Sequence, residues 1–337
     1  MERPFHFIWT CGGASAALPR GCGVSIIVAV SQSLEQSYDR CRRIARRTAK
    51  NFYYSFLVMP RAKRDAMCAI YAFMRRSDDI ADGAANPAVA SEGLRKWRTQ
   101  VDAALRGSGV SPDNLFGADR RDACPTIDPI LPALADTVGR YQIPPRHFHE
   151  LLDGTEMDQR VTRYETFDDL YKYCYHVASV VGLVVLPVFG YTDKAALVPA
   201  EACGIAFQLT NILRDVKEDA QMGRIYLPRE DLRRFGVTED DIINAAANPS
   251  AIESEFHSRF VELMKFEAGR AREYYQKAEP LRGMIEPDSR GTLTVMIGIY
   301  GGILRKIEER NYAVLNERVR LSAAEKLWIV LKNWGKR

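Results

Sequence analysis

Helical periodicity along nearly the whole chain is the feature that most restricts its fold. From Ser33 onward, apolar residues recur at helical spacing, and no alternating segment of useful strand length appears. The pattern therefore predicts an all-α protein. Its expected helices are residues 34–48, 60–82, 88–106, 129–141, 146–157, 166–189, 193–221, 229–235, 250–278, 287–311 and 322–334.

Residues with known end preferences mark several helix boundaries. Thr166 and Thr238, each followed by acidic side chains, predict helix N-caps, and Gly190 and Gly236 predict helix ends. The segment 107–128, rich in Gly, Pro and Asp, is expected to be a long loop. This loop separates motifs that are incomplete without each other. We therefore interpret it as an insertion within one domain rather than as a linker between two domains.

The composition is typical of a folded globular protein. The 337 residues are 47% hydrophobic and carry a formal net charge of +4, from 47 Lys and Arg against 43 Asp and Glu. These values exclude a disordered chain and a polytopic membrane protein, and so small a charge predicts no nucleic-acid partner. The longest uncharged stretch, residues 177–191, is shorter than the roughly 20 residues that span a bilayer, which predicts a buried helix.

The first residues and the cysteines bear on location. Residues 1–32 lack the basic flank and cleavage site of a signal peptide, and we expect a disordered or mis-assigned extension ahead of a domain at 33–337. The seven cysteines are odd in number and form no CxxC motif, which predicts neither a disulfide framework nor a zinc site. A reducing, cytoplasmic location is expected.

A first polar stripe crosses the helix expected over residues 60–82. At about 100° per residue, Tyr71, Arg75, Asp78 and Asp82 fall within roughly 60° of one another. The neighbouring side chains are mostly apolar, which favours burial of the stripe. The alternative is an exposed acidic helix end whose aspartates pair with neighbouring arginines.

A second polar stripe lies on the helix expected over residues 193–221. The same arithmetic places Gln208, Asn211, Asp215 and Asp219 within about 80°. The preceding turns, residues 202–207, carry no charge, so a core-facing row of amides and carboxylates would be costly unless a ligand satisfied it.

Together the two stripes predict a metal site. Aspartates four residues apart on two helices supply hard oxygen ligands that repel one another when no cation is present. Mg²⁺ prefers a few carboxylates and completes its coordination with water or phosphate oxygens, which predicts a metal-bound diphosphate. Mn²⁺ is expected to substitute for Mg²⁺. The expected metal ligands are Asp78, Asp79, Asp82, Asp215 and Asp219.

Two long signatures carry a family resemblance. They read Y-A-F-x-R-x-x-D-D-x-x-D over residues 71–82 and Q-L-x-N-I-x-R-D-x-x-E-D-x-x-x-G-R-x-Y-L-P over residues 208–228. The chain resembles the squalene/phytoene synthase family of head-to-head prenyl transferases over roughly residues 38–320. The resemblance implies a single all-α isoprenoid-synthase domain around a central cavity, with the two motifs facing each other across its mouth.

Two further segments agree with the family pattern, and one departs from it. Residues 173–182 resemble a family segment whose small residues let helices approach closely and line a hydrocarbon channel, and Phe52 matches a substrate-binding position. The family often has small hydroxyl residues where this chain has Ala49 and Asn51. The candidates to replace those diphosphate contacts are Thr48, Lys50 and Asn51.

The polar residues of the motifs are expected to hold the substrate. Guanidinium groups offer a planar fork of donors to diphosphate oxygens, although salt bridges to neighbouring aspartates are the alternative, and Arg224 equally suits a brace for the turn before Tyr226. The expected substrate-binding residues are Phe52, Arg75, Gln208, Asn211, Arg214 and Arg224.

Agreement with the family pattern implies that four tyrosines surround the reacting carbons. A carbocation is stabilised by an aromatic face and destroyed by loose water, so an aromatic, water-poor cavity suits the reaction. Tyr71 or the released diphosphate is the candidate base. The expected catalytic residues are Tyr71, Arg75, Tyr173, Tyr226 and Tyr300. His176 lies on an apolar helix with no partner at ligand spacing and is interpreted as a core residue.

The resemblance implies Mg²⁺-dependent joining of two allylic prenyl diphosphates through a cyclopropylcarbinyl diphosphate. Residues 170–182 and 215–219 look more like the bacterial squalene and presqualene diphosphate branch, which favours farnesyl diphosphate, with NADPH used only if squalene is the product. The alternative is a phytoene synthase that joins two geranylgeranyl diphosphates. A non-catalytic assembly protein on the same fold is the alternative of a different class. Head-to-tail prenyl transferases and terpene cyclases share the architecture, but both signatures argue against them.

The last helix leaves two readings open. Trp328, Leu331 and Trp334 recur at helical spacing among lysines. We expect this helix to dock on the domain, and the alternative is peripheral contact with the inner face of the membrane. The sequence makes no prediction of oligomeric state.

Overall fold

The computed structural model describes residues 26–49, 53–106 and 127–334, and within them helices form nearly all the regular structure. Two isolated bridges, Arg163 to Ile225 and Tyr191 to Ile285, are the extended pairings in these ranges. The all-α prediction is confirmed. The α-helices are α1 (Ile26–Thr48), α2 (Tyr53–Phe56), α3 (Arg61–Asp82), α4 (Pro87–Arg106), α5 (Leu131–Tyr141), α6 (Arg146–Arg160), α7 (Phe167–Cys174), α8 (Val180–Phe189), α9 (Leu197–Arg214), α10 (Val216–Gln221), α11 (Arg229–Arg234), α12 (Glu239–Ala247), α13 (Ser254–Ala278), α14 (Leu281–Met284), α15 (Pro287–Glu309) and α16 (Ala323–Trp334).

The start of the chain differs from the expected boundary. Helix α1 begins at Ile26 rather than at residue 34. Residues 1–25 of the expected N-terminal extension, and residues 107–126 of the expected loop, lie outside the described residues.

Three predicted helices differ internally from the structure. The helix expected over 166–189 contains one π-turn, Tyr175–Ser179, between α7 and α8. The helix expected over 193–221 breaks at Asp215, whose backbone (φ −105°, ψ 14°) is not helical, so α9 and α10 are separate. The helix expected from residue 250 begins at Ser254. Thr238 caps α12, a helix that the sequence analysis did not place, and both Thr166 and Thr238 form complete capping boxes.

Helix α9 is the central element of the bundle. It packs against α8, α13, α15 and the π-turn, and 14 of its 18 residues are buried. A helix surrounded by protein must be apolar on every side except where a polar group has a partner. Its polar residues are therefore informative about function.

Small residues let α9 approach α8 and the π-turn ahead of α8 closely. A Cβ on Gly204 would lie 2.5 Å from the Ser179 Cα, and a Cβ on Gly182 would lie 2.9 Å from the Ala200 carbonyl oxygen. The contacts pair later residues of one helix with earlier residues of the other, so α8 and α9 run antiparallel. The predicted role of small residues in the 173–182 segment is confirmed for this approach.

Two segments of the described chain, Phe167–Phe189 and Lys194–Arg214, are long and apolar enough to cross a membrane. Their most apolar windows are 72% and 83% buried within the protein. They are the core helices around α8 and α9, and the buried helix predicted at residues 177–191 is confirmed.

Helix α16 docks through one face. Ile329 is buried, and its side chain fills the space beside Gly298 and Gly302 of α15. Trp328 and Leu331 remain 59% and 62% exposed. Docking is confirmed for the Ile329 face, and membrane contact through the opposite face stays a prediction.

A buried acidic pair joins α11 to α13. The Arg270 Nη1 donates to Asp231 Oδ2 at 2.9 Å and to Glu267 Oε2 at 2.7 Å, and its guanidinium lies 4.1 Å from the Phe167 ring centroid. Burial is the main cause that raises the pKa of Glu267 to about 8, and the Asp231 carboxylate adds to it while Arg270 opposes it. Burial therefore favours the protonated form of Glu267.

The raised pKa of Glu267 predicts a pH-dependent stability. The native state holds a proton that the unfolded state releases near pH 4.5, so this group's stabilisation is complete below that pH and is lost as pH rises to about 8. The contribution of this group to stability therefore declines progressively across that window. Glu267→Gln, measured by thermal unfolding, should flatten the decline in Tm between pH 5 and pH 9.

The matched control for this prediction is Glu262→Gln, an exposed position on the same helix. It should leave the pH dependence of the wild-type protein unchanged. Parallel Tm curves for Glu267→Gln and the wild type would contradict the assignment.

Candidate active site

The first aspartate motif occupies the end of α3, and its members differ in burial. Asp78 is 4% exposed. The side chain of Asp79 is 44% exposed, and its Oδ1 forms an ion pair with Arg75 Nη2 at 2.6 Å. Asp82 is half-buried. Tyr71 is buried, and its hydroxyl donates to Thr48 Oγ1 at 2.9 Å. Asp78 is thus the motif's inward carboxylate, and Asp79 pairs outward with Arg75.

Asp78 is held in an unfavourable electrostatic environment. Burial is the main cause that raises its pKa well above the usual value, and the neighbouring Asp82 and Asp158 carboxylates add to the rise. Its Oδ1 atom is buried and has no hydrogen-bond partner among the described residues. Such an atom is typical of a site completed by a ligand.

The second motif begins with two buried amides on α9. The Asn211 Nδ2 donates to the Gln208 Oε1 at 3.4 Å. Within the part of the chain that the structure describes, the remaining amide atoms, Gln208 Nε2 and Asn211 Oδ1, are buried without a hydrogen bond. They provide one donor and one acceptor for a polar group that enters from outside the protein.

Asp215 lies at the break between α9 and α10 and is held by two arginines. Arg214 Nε donates to its Oδ1 at 2.7 Å, and Arg318 donates to its Oδ1 and Oδ2 at 2.8 and 2.9 Å. The salt-bridge alternative for Arg214 is therefore what the structure shows, and a cation at Asp215 would have to replace these contacts. Arg318, from the segment between α15 and α16, was not predicted.

A buried aspartate on α6 organises the remaining predicted residues. The hydroxyls of Tyr173 and Tyr226 donate to Asp158 Oδ1 at 2.9 and 2.7 Å. Arg224 donates from Nη1 to Asp158 Oδ2 at 2.9 Å and from Nη2 to the Asp158 carbonyl oxygen at 2.8 Å. Arg224 is 7% exposed and forms this pair in the free protein, and its expected role as a direct substrate contact stays a prediction.

The tyrosines around Asp158 form an aromatic cluster. Tyr173 and Tyr226 stack with centroids 5.2 Å apart, and Tyr164, which was not predicted, stacks on Tyr226 at 5.8 Å. Burial, and then the Asp158 charge, raise the pKa values of Tyr173 and Tyr226 well above the usual value. Both phenols are therefore neutral and act as hydrogen-bond donors.

The cluster around Asp158 interacts electrostatically with a carboxylate of each aspartate motif. Its charge contributes to the raised pKa of Asp78, and the charge of Asp219 contributes to the raised pKa of Tyr226. Asp219 is 2% exposed. Its carbonyl oxygen accepts from the Arg224 backbone N–H at 2.8 Å, across the turn at Gly223 (φ 75°). The two motifs therefore converge on one buried cluster.

The carboxylates suit a metal that the substrate helps to bind. Within the described residues, no group of three or more His, Cys, Asp or Glu side chains lies close enough to hold a cation alone. The donor set is instead hard oxygen on two helices, including the orphan Asp78 Oδ1 and Asn211 Oδ1. Mg²⁺ takes few protein carboxylates and completes its shell with water and phosphate oxygens, so the residues fit that ion.

An apolar cavity lies beside the polar cluster. Phe207, the last cavity residue on α9, directly precedes Gln208 and stacks on Tyr300 with centroids 4.4 Å apart. Every lining residue is apolar or glycine, as a hydrocarbon chain requires. They are Ala178, Val181, Gly182, Val185, Leu186, Phe189, Ala200, Cys203, Gly204, Phe207, Leu281, Leu293 and Met296.

The other residues named by the sequence analysis lie outside this cluster or outside the described part of the chain. Three of them, Lys50, Asn51 and Phe52, lie outside the described residues. The ring Nδ1 of His176 lies 3.2 Å from the Glu150 carbonyl oxygen, and the side chain is half-buried, which agrees with a packing role.

Sequence reasoning missed Asp158, Tyr164 and Arg318. Each is a single residue outside both signatures, so no local spacing marked it.

An all-α bundle with two aspartate-bearing helix ends beside an apolar cavity defines an isoprenoid synthase. The squalene/phytoene synthase family model matches residues 45–325. The chain belongs to the squalene/phytoene synthase family and is a prenyltransferase that condenses prenyl diphosphates head to head.

Relatives by sequence include phytoene synthases. The chain is 36% identical to a 15-cis-phytoene synthase of Synechococcus elongatus over 307 residues, which cover 88% of this chain and 91% of that protein. It is 37% identical to a phytoene synthase of Arthrospira platensis over 304 residues, covering 86% and 90%.

Similar solved structures bear other names. A dehydrosqualene synthase in complex with a ligand has a TM-score of 0.74 and 30% identity, covering 90% of this chain and 97% of that one. A squalene synthase HpnC from Alicyclobacillus acidocaldarius has a TM-score of 0.70 and 27% identity, covering 84% and 98%.

Removing the Asp158 charge should destabilise the fold markedly. Asp158→Asn leaves the buried Arg224 guanidinium without its counter-charge, which should cost about 3 kcal/mol in the free energy of unfolding. Guanidinium chloride denaturation measures this loss. Asp153→Asn on the same helix breaks an exposed pair with Arg98 and should cost less than about 1 kcal/mol. Equal losses in the two variants would argue against a buried ion pair.

Proposed function

We propose that this enzyme joins two molecules of geranylgeranyl diphosphate to form phytoene, with Mg²⁺ bound. The main support for this reaction comes from the residues along α9. The helix lines the apolar cavity as far as Phe207, and the next residues, Gln208 and Asn211, have buried amide atoms without a hydrogen bond among the described residues. One helix thus supplies a hydrocarbon wall and a diphosphate contact in succession.

The relatives support the C20 substrate over the C15 substrate. Proteins named phytoene synthase are 36% and 37% identical to the chain over most of its length. The solved squalene and dehydrosqualene synthases are 27% and 30% identical. The farnesyl diphosphate reading, favoured by the sequence analysis, has the weaker support, and the proposal gives NADPH no part.

Asp78, Asp82 and Asp219 are the residues proposed to hold Mg²⁺. When bound, Mg²⁺ supplies positive charge that stabilises the departing diphosphate. The same charge would favour ionised Asp78, which in the free protein is disfavoured by burial. Mn²⁺, as another hard cation, is expected to substitute.

Three arginines are proposed to neutralise the remaining diphosphate charge. Arg75, Arg214 and Arg318 are each partly exposed and paired with an aspartate of the motifs. Their guanidinium forks suit phosphate oxygens as well as carboxylates. Substrate binding therefore exchanges one anionic partner for another at each arginine.

The aromatic cluster is proposed to protect the allylic cation. The hydroxyls of Tyr173 and Tyr226 donate hydrogen bonds to Asp158, and the raised pKa values keep both phenols neutral. A neutral phenol is a far weaker nucleophile than a phenolate, so the rings can face a cation without trapping it. The same burial excludes water.

A parallel incubation tests the substrate. With Mg²⁺, purified protein should convert geranylgeranyl diphosphate to a C40 hydrocarbon and leave farnesyl diphosphate largely unchanged, as measured by product mass spectrometry. Conversion of farnesyl diphosphate to presqualene diphosphate, with geranylgeranyl diphosphate untouched, would overturn the proposed substrate. No diphosphate release from either would favour the non-catalytic alternative.

Neutralising one motif carboxylate should abolish turnover without unfolding the protein. Asp82→Asn and Asp219→Asn should each lower Mg²⁺-dependent diphosphate release by at least about a hundredfold, because fewer anionic ligands remain. Their Tm values should stay close to that of the wild type, since each substitution relieves repulsion among neighbouring carboxylates.

The control for these variants is Asp240→Asn, an exposed aspartate in the first turn of α12. It should retain full activity. Turnover unchanged in both motif variants would refute the metal assignment.

A further inference from the structure

The apolar cavity has an end that lies far from the aspartate motifs. Because α8 and α9 run antiparallel, Phe207 and Phe189 lie toward opposite ends of the cavity. The α8 wall from Val181 to Phe189 spans roughly 12 Å at a 1.5 Å rise per residue. A chain that enters beside Gln208 therefore meets Phe189 at the distal end.

An ion cluster lies directly behind Phe189. The ammonium of Lys63, on α3, donates to the Phe189 carbonyl oxygen at 3.1 Å. It also donates to Glu286 Oε2 and Asp288 Oδ1, both at 2.6 Å, and to Ser289 Oγ at 3.0 Å. The Lys63 side chain is only 12% exposed.

This cluster joins two walls of the cavity. Phe189 ends α8, whereas Asp288 begins α15, which lines the cavity with Leu293 and Met296 further along. Gly190 makes the junction tight, since a Cβ there would lie 2.4 Å from the Glu286 Cδ.

Without the Lys63 ammonium, the negatively charged groups at this junction would repel one another. The C-terminal carbonyls of α8 carry partial negative charge, and two carboxylates face them. The half-buried Lys63 ammonium, shared among four acceptors, holds them together.

We propose that Phe189 sets the maximum length of a prenyl chain in this cavity, and that Lys63 is a positioning residue that fixes Phe189 at the distal end. This inference rests on the proposed function, in that a prenyl chain occupies the cavity. Neither residue belongs to the aspartate motifs. Length selection is thereby separated from diphosphate chemistry.

The test is a competition among C15, C20 and C25 prenyl diphosphates, scored by product mass. Phe189→Ala should raise the ratio of kcat/KM for C25 over C20 by roughly tenfold or more, the scale of discrimination by an apolar pocket. Lys63→Met should raise the ratio in the same direction by a smaller factor, and Lys63→Arg should restore it. Lys96→Met, an exposed lysine on α4, is the matched control and should leave the ratio unchanged.

A purely structural role predicts a different result. It would lower kcat for all three substrates together and leave their ratio constant, which would overturn the inference. If Phe189→Ala does not fold, Phe189→Leu makes the same test with a smaller change in volume.

The competition also separates this inference from the proposed substrate. If the wild-type enzyme uses only C15, the ratio to follow is C20 over C15. A rise in that ratio in Phe189→Ala would uphold Phe189 as the length determinant while the C20 assignment fails.

Discussion

The structure depends on burying carboxylates inside an apolar helical bundle. Asp78, Asp158 and Asp219 are each no more than 4% exposed. Burial of a charge is costly unless a partner compensates it. Asp158 has its partners within the protein, in Arg224 and two phenols. Asp78 Oδ1 has no hydrogen-bond partner among the described residues, and burial raises the pKa of this carboxyl well above its usual value although the Arg75 charge opposes the rise. The charge of the buried carboxylate is thus compensated at Asp158 and only partly compensated at Asp78, in the motif that we propose binds Mg²⁺.

Helix α9 links this electrostatic constraint to the hydrocarbon cavity. Its small residues permit the close approach of α8, and its apolar side chains line the cavity. The helix stops at Asp215, where the backbone leaves helical geometry and two arginines converge. The π-turn Tyr175–Ser179 packs against the same helix, at a place where such turns often accompany function. The polar and apolar halves of the site therefore share one rigid element.

Much of this arrangement could be predicted from local spacing. The helices, the two aspartate stripes and the small residues of segment 173–182 all follow from periodicity within one element. Chain-length preference could not be predicted, because it depends on the distance between the diphosphate site and the distal wall at Phe189. Lys63 reaches that wall from 126 residues away in sequence. Resemblance within short segments pointed to the C15 branch, whereas comparison over the whole chain favours the C20 enzymes.

The sequence by itself determined the all-α class, the family and the two motifs, because each depends on residues within a few helical turns. Only the tertiary structure decided which side chains complete them. Asp158 meets Arg224 across 66 positions, and Arg318 meets Asp215 across 103. It also showed that Arg224 is bound to Asp158 and that Asp79 faces outward. Burial and long-range pairing set these roles, since a carboxylate's partner and pKa depend on the surrounding fold rather than on its neighbours in the chain.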